Sequence, residues 1–340
     1  MCGAMNYFDN IVSAANAGLP WERLEGKNIL VTGATGLIGG CLVEILMERQ
    51  HGYNVYAAGR NEERAKRRFS RYKDDKTFHF FKYDVSQELH SDVCFHYIIH
   101  AASNASPVFF KNNPVEVMKA NIYGVANLLE YGREHSMQRM LYVSTGEVYG
   151  EGNKTFSETD SGYVDCATVR ACYPSSKRAA ETLCVSYAEE YGVDVVIGRP
   201  CHTYGPYFTE SDNRVFCQFI RNVLGDEDIV MKSDGMQMRS WCYVVDCALA
   251  LLYILLKGEC ANAYNIADES SVFTIRQLAE TVAADAGRKV VYSNPTDAEA
   301  RSFSKISHAV FSTAKLRGLG WSVEGSWQEK FNATIAELRK

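Results

Sequence analysis

The sequence predicts an α/β protein, built as a doubly wound parallel sheet with a smaller C-terminal lobe. Three observations carry this. Short apolar runs alternate with longer segments of helical periodicity as far as Pro200, the pattern of parallel strands joined by crossover helices. A glycine triplet, Gly33, Gly36 and Gly39, sits between the first strand and the first crossover helix. After Arg199 the alternation becomes irregular, broken by Gly-Pro, Ser-Asp-Asn and Ser-Asp-Gly turns.

Each element follows from its local pattern. Tyr7, Phe8, Ile11, Val12 and Ala15 stand at helical spacing within residues 5–17, and Gly18-Leu19-Pro20 ends that helix. Residues 28–32 read as a buried strand and 37–49 as a helix. A strand at 54–58 leads to a basic helix at 62–72. Strands follow at 78–83 and 97–100, then a long helix over 114–135 and a strand at 140–144. A helix over 173–191 feeds a strand at 194–198. A further helix is expected at 215–224, and residues 241–267 look like a helix and strand rejoining the main sheet.

The 340 residues are 46% hydrophobic, enough for a large core in one domain or a domain plus a lobe. The net charge is −5 with both signs interspersed, which argues against the basic face a nucleic-acid binder needs. The 11 cysteines lie scattered through apolar runs, without a C-x-x-C pair or zinc spacing. They read as reduced core thiols, and no metal site is expected. Residues 1–20 lack the basic start and apolar run of a signal peptide, and the apolar run 248–256 is too short to span a bilayer. The expectation is a soluble cytoplasmic protein with no membrane or nucleic-acid partner.

The glycines assign the first chemistry. In Gly33-Ala34-Thr35-Gly36-Leu37-Ile38-Gly39, Gly33 permits a tight turn and Gly36 lets the backbone approach a pyrophosphate. Gly39 lets helix and strand pack closely, and the helix N-terminus favours the negative charge. Thr35, Leu37 and Ile38 share that turn. This is the mark of a Rossmann-type dinucleotide site, here for NAD or NADP. At the end of the second strand, Gly59-Arg60-Asn61 stands where a carboxylate would hold the ribose of NAD. Arg60 can instead face a 2′-phosphate, which favours NADP. Asp84 and Val85 follow the third strand, and Ala101, Ala102 and Ser103 the fourth, all placed to line the cofactor. Residues 1–200 with 241–267 are therefore expected to form the NAD(P)-binding domain, and 201–240 with 268–340 the substrate-binding lobe.

The second chemistry rests on Tyr173 and Lys177, four apart and so on one helix face. A lysine ammonium beside a phenol lowers its pKa, and a phenolate can take a hydroxyl proton as hydride leaves the same carbon. Thr145 follows the strand at 140–144, and Arg199, Pro200 and His202 follow the next. Strand ends in an open α/β sheet surround the ligand crevice, which brings Ser144, Arg199, Pro200 and His202 toward the cofactor as well.

Together the glycine motif, Ser144-Thr145-Gly146-Glu147-Val148-Tyr149-Gly150, Tyr173-x-x-x-Lys177, Arg199-Pro200-x-x-x-Tyr204-Gly205-Pro206 and Arg239-Ser240-Trp241-Cys242-Tyr243-Val244-Val245-Asp246 resemble the extended short-chain dehydrogenase/reductases. The resemblance is to their nucleotide-sugar epimerase/dehydratase/decarboxylase branch. It covers residues 27–320, and Leu319-Gly320-Trp321 resembles the closing motif. It implies that Tyr173 is the base, Lys177 orients the cofactor ribose, Thr145 hydrogen-bonds the substrate and Asn121 is the family's helix asparagine. It also implies oxidation of the sugar at C4.

The 4,6-dehydratases carry Asp-Glu after the threonine, where this chain has Gly146-Glu147. The enzymes that convert UDP-glucuronate to UDP-xylose keep only the glutamate, together with an arginine matching Arg239. Arg170-Ala171-Cys172-Tyr173 is similar to theirs. This chain departs from them in Pro174-Ser175-Ser176, in His202 where they carry asparagine, and in lacking the acidic residue after the second strand. Arg239, Arg301, Asn213, Arg214 and His202, with Thr145 and Glu147, are the expected substrate contacts. Arginine forks suit phosphate oxygens. Epimerisation, reduction of a 4-keto sugar by NADPH, and a non-catalytic NADP-binding regulator stay open at this point, as does a non-nucleotide ketone substrate. The resemblance also implies a homodimer paired through helices 114–135 and 173–191.

Overall fold

The computed structural model describes residues 6–49, 52–209, 212–295 and 306–340. Its strands in chain order are β1 (Asn28–Thr32), β2 (Asn54–Gly59), β3 (Phe78–Lys82), β4 (Tyr97–His100), β5 (Arg139–Val143), β6 (Thr155–Phe156) and β7 (Val195–Pro200). Then follow β8 (His202–Tyr204), β9 (Ile229–Met231), β10 (Met238–Tyr243), β11 (Ala263–Ile266), β12 (Asp268–Thr274), β13 (Val290–Tyr292) and β14 (His308–Phe311). The helices are α1 (Tyr7–Ala15), α2 (Leu37–Arg49), α3 (Glu62–Arg68), α4 (Pro107–Asn112), α5 (Pro114–Glu134), α6 (Cys172–Tyr191), α7 (Val215–Leu224), α8 (Val244–Lys257) and α9 (Ile275–Asp285). Short Ala314–Arg317 and a last helix, Trp327–Leu338, follow.

The main sheet has the order β11-β7-β5-β4-β1-β2-β3 with every pair parallel. The order reverses between β1 and β4, and a doubly wound sheet opens its ligand crevice there. Alternation along each strand explains the two helical layers. Ile29 and Val31 of β1 join the core under α1, α2 and α8, while Leu30 joins the core under α5 and α6. Leu141 and Val143 of β5 follow the first set, and Met140 and Tyr142 the second. A strand buried on both faces needs this continuous apolar sequence. Helix α8 is apolar almost all round because the main sheet, α2 and β10 enclose it; only Asp246, Leu249 and Lys257 escape full burial. Each leucine or isoleucine so enclosed contributes about 1.5–3 kcal/mol.

The second sheet has the order β12-β10-β14-β6, with β8 also paired to β10. Only β10 and β12 run antiparallel; β10 with β14, β10 with β8, and β14 with β6 run parallel. Strand β10 crosses the 240/241 position at which the sequence divides the lobe from the main domain. Pairing with β8, β12 and β14 carries it through that point as one strand. Beyond it α8 and β11 return to the main sheet, as the spacing of 241–267 predicts.

Other differences are local. The helix expected over 62–72 ends at Arg68, with a 3₁₀ turn at Ser70–Tyr72. Phe69, 1% exposed, turns into the core at the break. Helix α1 starts after Asn6, whose side chain and that of Asp9 form a reciprocal cap. The expected start of that helix at Met5 lies outside the described residues.

Candidate active site

At the β1–α2 turn, Gly33 has φ +68°, and a Cβ there would lie 2.7 Å from the Ala101 carbonyl and Ala102 nitrogen. A Cβ on Gly39 would run into the Gly33 carbonyl, so the helix lies directly on the turn. Around Gly36 a Cβ would meet only the Gly33 carbonyl, at 3.2 Å. The missing side chain therefore leaves room in front of the α2 N-terminus, the cradle a pyrophosphate occupies. Thr35 borders Gly59 at the end of β2. Arg60 stands 3.7 Å from Asp84, with their side chains 68% and 41% exposed. Val85 packs against Gly124 of α5. These residues fit a dinucleotide.

The face that carries Tyr173 is assembled between α5 and α6. Ser103 Oγ donates to Asn121 Oδ1 (2.8 Å), Asn121 Nδ2 to Ser176 Oγ (2.9 Å), and Ser176 Oγ to the Tyr173 carbonyl (3.0 Å). Asn121 thus ties the end of β4 to the turn of α6 that carries Tyr173. The Tyr173 ring stacks on Phe110 of α4, centroids 4.5 Å apart. Burial holds the phenol well above its usual pKa, and Glu147 adds to this. The Thr145 hydrogen bond and the charges of Arg214 and Arg170 pull the other way.

Lys177, 2% exposed, donates to the Val143 carbonyl at 2.9 Å. Its ammonium lies 4.8 Å from the Tyr142 ring centroid and 5.9 Å from that of Tyr173. Burial draws it down to about 7, against the opposing charge of Glu181. The sequence reading put this ammonium next to Tyr173; it lies over that ring, while its hydrogen bond goes to the end of β5 and the Tyr173 hydroxyl bonds Thr145. His100, bonded through Nδ1 to Thr32 Oγ1 (2.7 Å), is pushed down to about 3 by burial and then by Lys177, so it faces the lysine uncharged.

One cavity of about 520 Å³ is lined by Thr145, Glu147, Arg170, Tyr173, Pro200, His202, Asn213, Arg214 and Arg239, with Phe219, Met231 and Trp241 among its apolar walls. Arg170 grips both oxygens of Glu147 (2.7 and 2.9 Å) and lies over the Phe110 ring. Arg239, 4% exposed, donates to the carbonyls of Met238 (2.8 Å) and Ile306 (2.6 Å). Burial lowers its pKa to about 10. Arg214 is held by Asp212 (2.6 Å), and Ser106 Oγ donates to Asn213 Oδ1 (2.9 Å). His202 lies beside Trp241 with its Nδ1 buried and unbonded, and burial, then Arg239 and Arg214, push it down to about 3.

Two sequence expectations change. Arg199, expected at the cofactor, is bound to Glu181 (2.6 Å), to the Tyr149 hydroxyl (2.9 Å) and to the Glu158 carbonyl (2.9 Å). A guanidinium so occupied is a structural tie. Ser144 likewise donates to Glu181 (2.5 Å). Arg301 lies outside the described residues. Phe110 was not singled out, although Ser106-Pro107 is a helix-start signal that announces α4. Among the described residues no helix is long and apolar enough to cross a membrane, and no cluster of three His, Cys, Asp or Glu can hold a metal.

Residues 29–267 match the NAD dependent epimerase/dehydratase family. The chain belongs to that family. UDP-glucuronic acid decarboxylase 6 of Arabidopsis thaliana is 36% identical over 279 residues, 80% of this chain and 79% of that protein. UDP-glucuronic acid decarboxylase 1 of Xenopus tropicalis is 32% identical over 320 residues, 92% and 72% of the two chains. In fold the chain is similar to UDP-glucose 4-epimerase of Thermotoga maritima, with a TM-score of 0.78 and 24% identity, covering 92% of this chain and 98% of that one. It is also similar to the UDP-glucuronic acid 4-epimerase of Bacillus cereus, at TM-score 0.79 and 21% identity, covering 92% and 99%. The family membership and the glycine turn together make this an NAD(P)-binding enzyme.

Proposed function

We propose that this protein oxidises a UDP-linked uronic acid at C4 and releases its carboxylate as carbon dioxide, as UDP-glucuronate decarboxylases do. The observation that carries the reading is at Gly146. A Cβ there would lie 2.5 Å from the Phe311 ring, so a second acid at the position where dehydratases carry one would have to displace that ring. A site with Glu147 alone has no proton donor to expel a C6 hydroxyl. It retains what a β-keto acid needs, which is position.

The β1–α2 turn with Asn121, Ser103 and Lys177 would hold the cofactor. The bound nicotinamide supplies the hydride acceptor and donor. Tyr173 takes the C4 hydroxyl proton, and Thr145 hydrogen-bonds the same oxygen. With C4 a ketone, the bond from C5 to the carboxylate breaks and its electron pair moves onto the C4 oxygen. Protonated Tyr173 and Thr145 both bond that oxygen; a proton from solvent then takes the place of carbon dioxide at C5, and the pentose is completed when hydride returns to C4 and Tyr173 gives its proton to the C4 oxygen. Arg239 and Arg214, with Asn213 and His202, supply the polar contacts for the diphosphate and sugar. Glu147, braced by Arg170, stands beside the ring.

Incubation with UDP-glucuronate and NAD(P), followed by mass spectrometry, is expected to yield a UDP-pentose. A UDP-hexuronate of unchanged mass but altered sugar configuration would replace this reading by epimerisation. Two finer points belong to the same proposal. The end of β2 carries exposed Arg60 and no carboxylate, which supports NADP over NAD; a lower Kd for NAD would overturn that preference. Val115, Met118 and Tyr123 of α5, with Val185 and Tyr191 of α6, are exposed apolar side chains, which supports a homodimer paired through these helices.

A further inference from the structure

Tyr173, Lys177 and Glu181 recur at a four-residue interval on the buried face of α6. The first two are explained by the proposed reaction; a buried carboxylate one turn further on is not. Glu181 is 8% exposed. Its Oε1 accepts from the Ser144 hydroxyl (2.5 Å), the residue before Thr145, and Arg199 binds both oxygens (2.6 to 3.2 Å). A buried ion of this kind costs stability unless it is fully bonded, and a surface for Arg199 alone does not call for the bond to Ser144.

The charges around Lys177 define what Glu181 does there. From α6 itself come Glu181 and Cys184, and burial pushes the Cys184 thiol up so that it stays neutral. From β5 comes Tyr142, whose phenol burial also keeps neutral. From β4 comes neutral His100, on which the charge of Lys177 acts. Tyr173 is protonated in the resting site. Beyond Glu181 lie Arg199 and the Tyr149 hydroxyl. Among the described residues, Glu181 is the negative charge acting on the lysine.

We propose that Glu181 is a positioning residue of this active site: its buried carboxylate fixes the Ser144–Thr145 strand end and, one helical turn from Lys177, supplies the negative charge that favours the ammonium form of the lysine. The inference rests on Tyr173 and Lys177 as the reacting pair. Without the carboxylate, a lysine bonded only to the Val143 carbonyl and facing neutral rings loses its proton at lower pH. A neutral lysine neither attracts a phenolate nor donates as an ion to a ribose.

The test is the titration of Lys177 by NMR in protein carrying isotope-labelled lysine, its resonance identified by absence from Lys177→Met. No substrate is needed, so its failure is separable from failure of the decarboxylation assay. E181Q is expected to lower the Lys177 midpoint by about one pH unit, and E181D to restore part of it. An unchanged midpoint in folded E181Q overturns the proposal. If the bared Arg199 prevents E181Q from folding, E181Q/R199M removes both ions, and a fall relative to R199M alone is expected; no fall relative to R199M overturns it equally. R199M alone cuts a structural tie and leaves the carboxylate, so its midpoint stays at or above wild type. A fall in R199M matching that of E181Q would assign the effect to lost packing and reject the counter-ion role.

Discussion

A phenol buried between Phe110 and Glu147 holds its proton more tightly than in water, so the resting Tyr173 is a poor base until positive charge and substrate arrive. Two expectations follow at this scale. Tyr173→Phe keeps the ring and its stacking, so circular dichroism stays unchanged while turnover falls by about 10²–10⁴-fold. Glu147 raises the Tyr173 pKa. Glu147→Gln removes that charge, so the phenol ionises more easily. The acid limb of kcat/KM against pH should then move to lower pH; a shift to higher pH would mean that Glu147 acts on Tyr173 in some other way. Tyr173, Lys177, Thr145 and Glu147 were all legible in the sequence because each sits in a motif of fixed spacing. Phe110 and the Arg170–Glu147 pair were not, because both join residues far apart in the chain.

At the scale of elements, the β1–α2 turn works because three side chains are absent. Gly33→Ala places a Cβ against the ends of Ala101 and Ala102 in a left-handed conformation, a strain of about 1–3 kcal/mol. The Kd for NAD(P) measured by calorimetry should rise at least about tenfold, with little loss of helix content. Apart from helix 62–72 and the unread α4 and β6, the strands and helices of residues 28–200 were read from sequence to within a residue or two, because both faces of the sheet are buried and the pattern has no competitor. Helix 62–72 was read too long because Phe69 fits a helical period yet turns into the core. The second sheet was not read, since its strands are short and pair in mixed directions.

For the whole molecule, the exposed apolar side chains of α5 and α6 bear on assembly. Light scattering is expected to give twice the 38.1 kDa chain mass, and Met118→Glu, which places a charge on α5, should shift it toward one chain. A wild-type monomer would remove the dimer from the proposal. The pocket itself is a property of the whole molecule. Its Thr145 and Tyr173 wall comes from the end of β5 and from α6, while Arg239, His202 and Phe311 arrive on β10, β8 and β14 of the other sheet.

What the sequence by itself determined is the doubly wound sheet, the dinucleotide turn and the placing of Tyr173 and Lys177 on one helix face, because local period and motif spacing encode them directly. Only the tertiary structure decided how charge is distributed among them. Arg199 looked like a cofactor contact on its strand end, yet pairing with Glu181 takes it away from the crevice. Lys177 stands over the Tyr173 ring as the spacing expects, and the tertiary structure adds its hydrogen bond to the Val143 carbonyl. Gly146 looked like a missing acid, and Phe311, 165 positions later in the chain, fills the space that such a side chain would enter. Burial and pairing depend on residues remote in sequence, and they set the ionisation on which the chemistry depends.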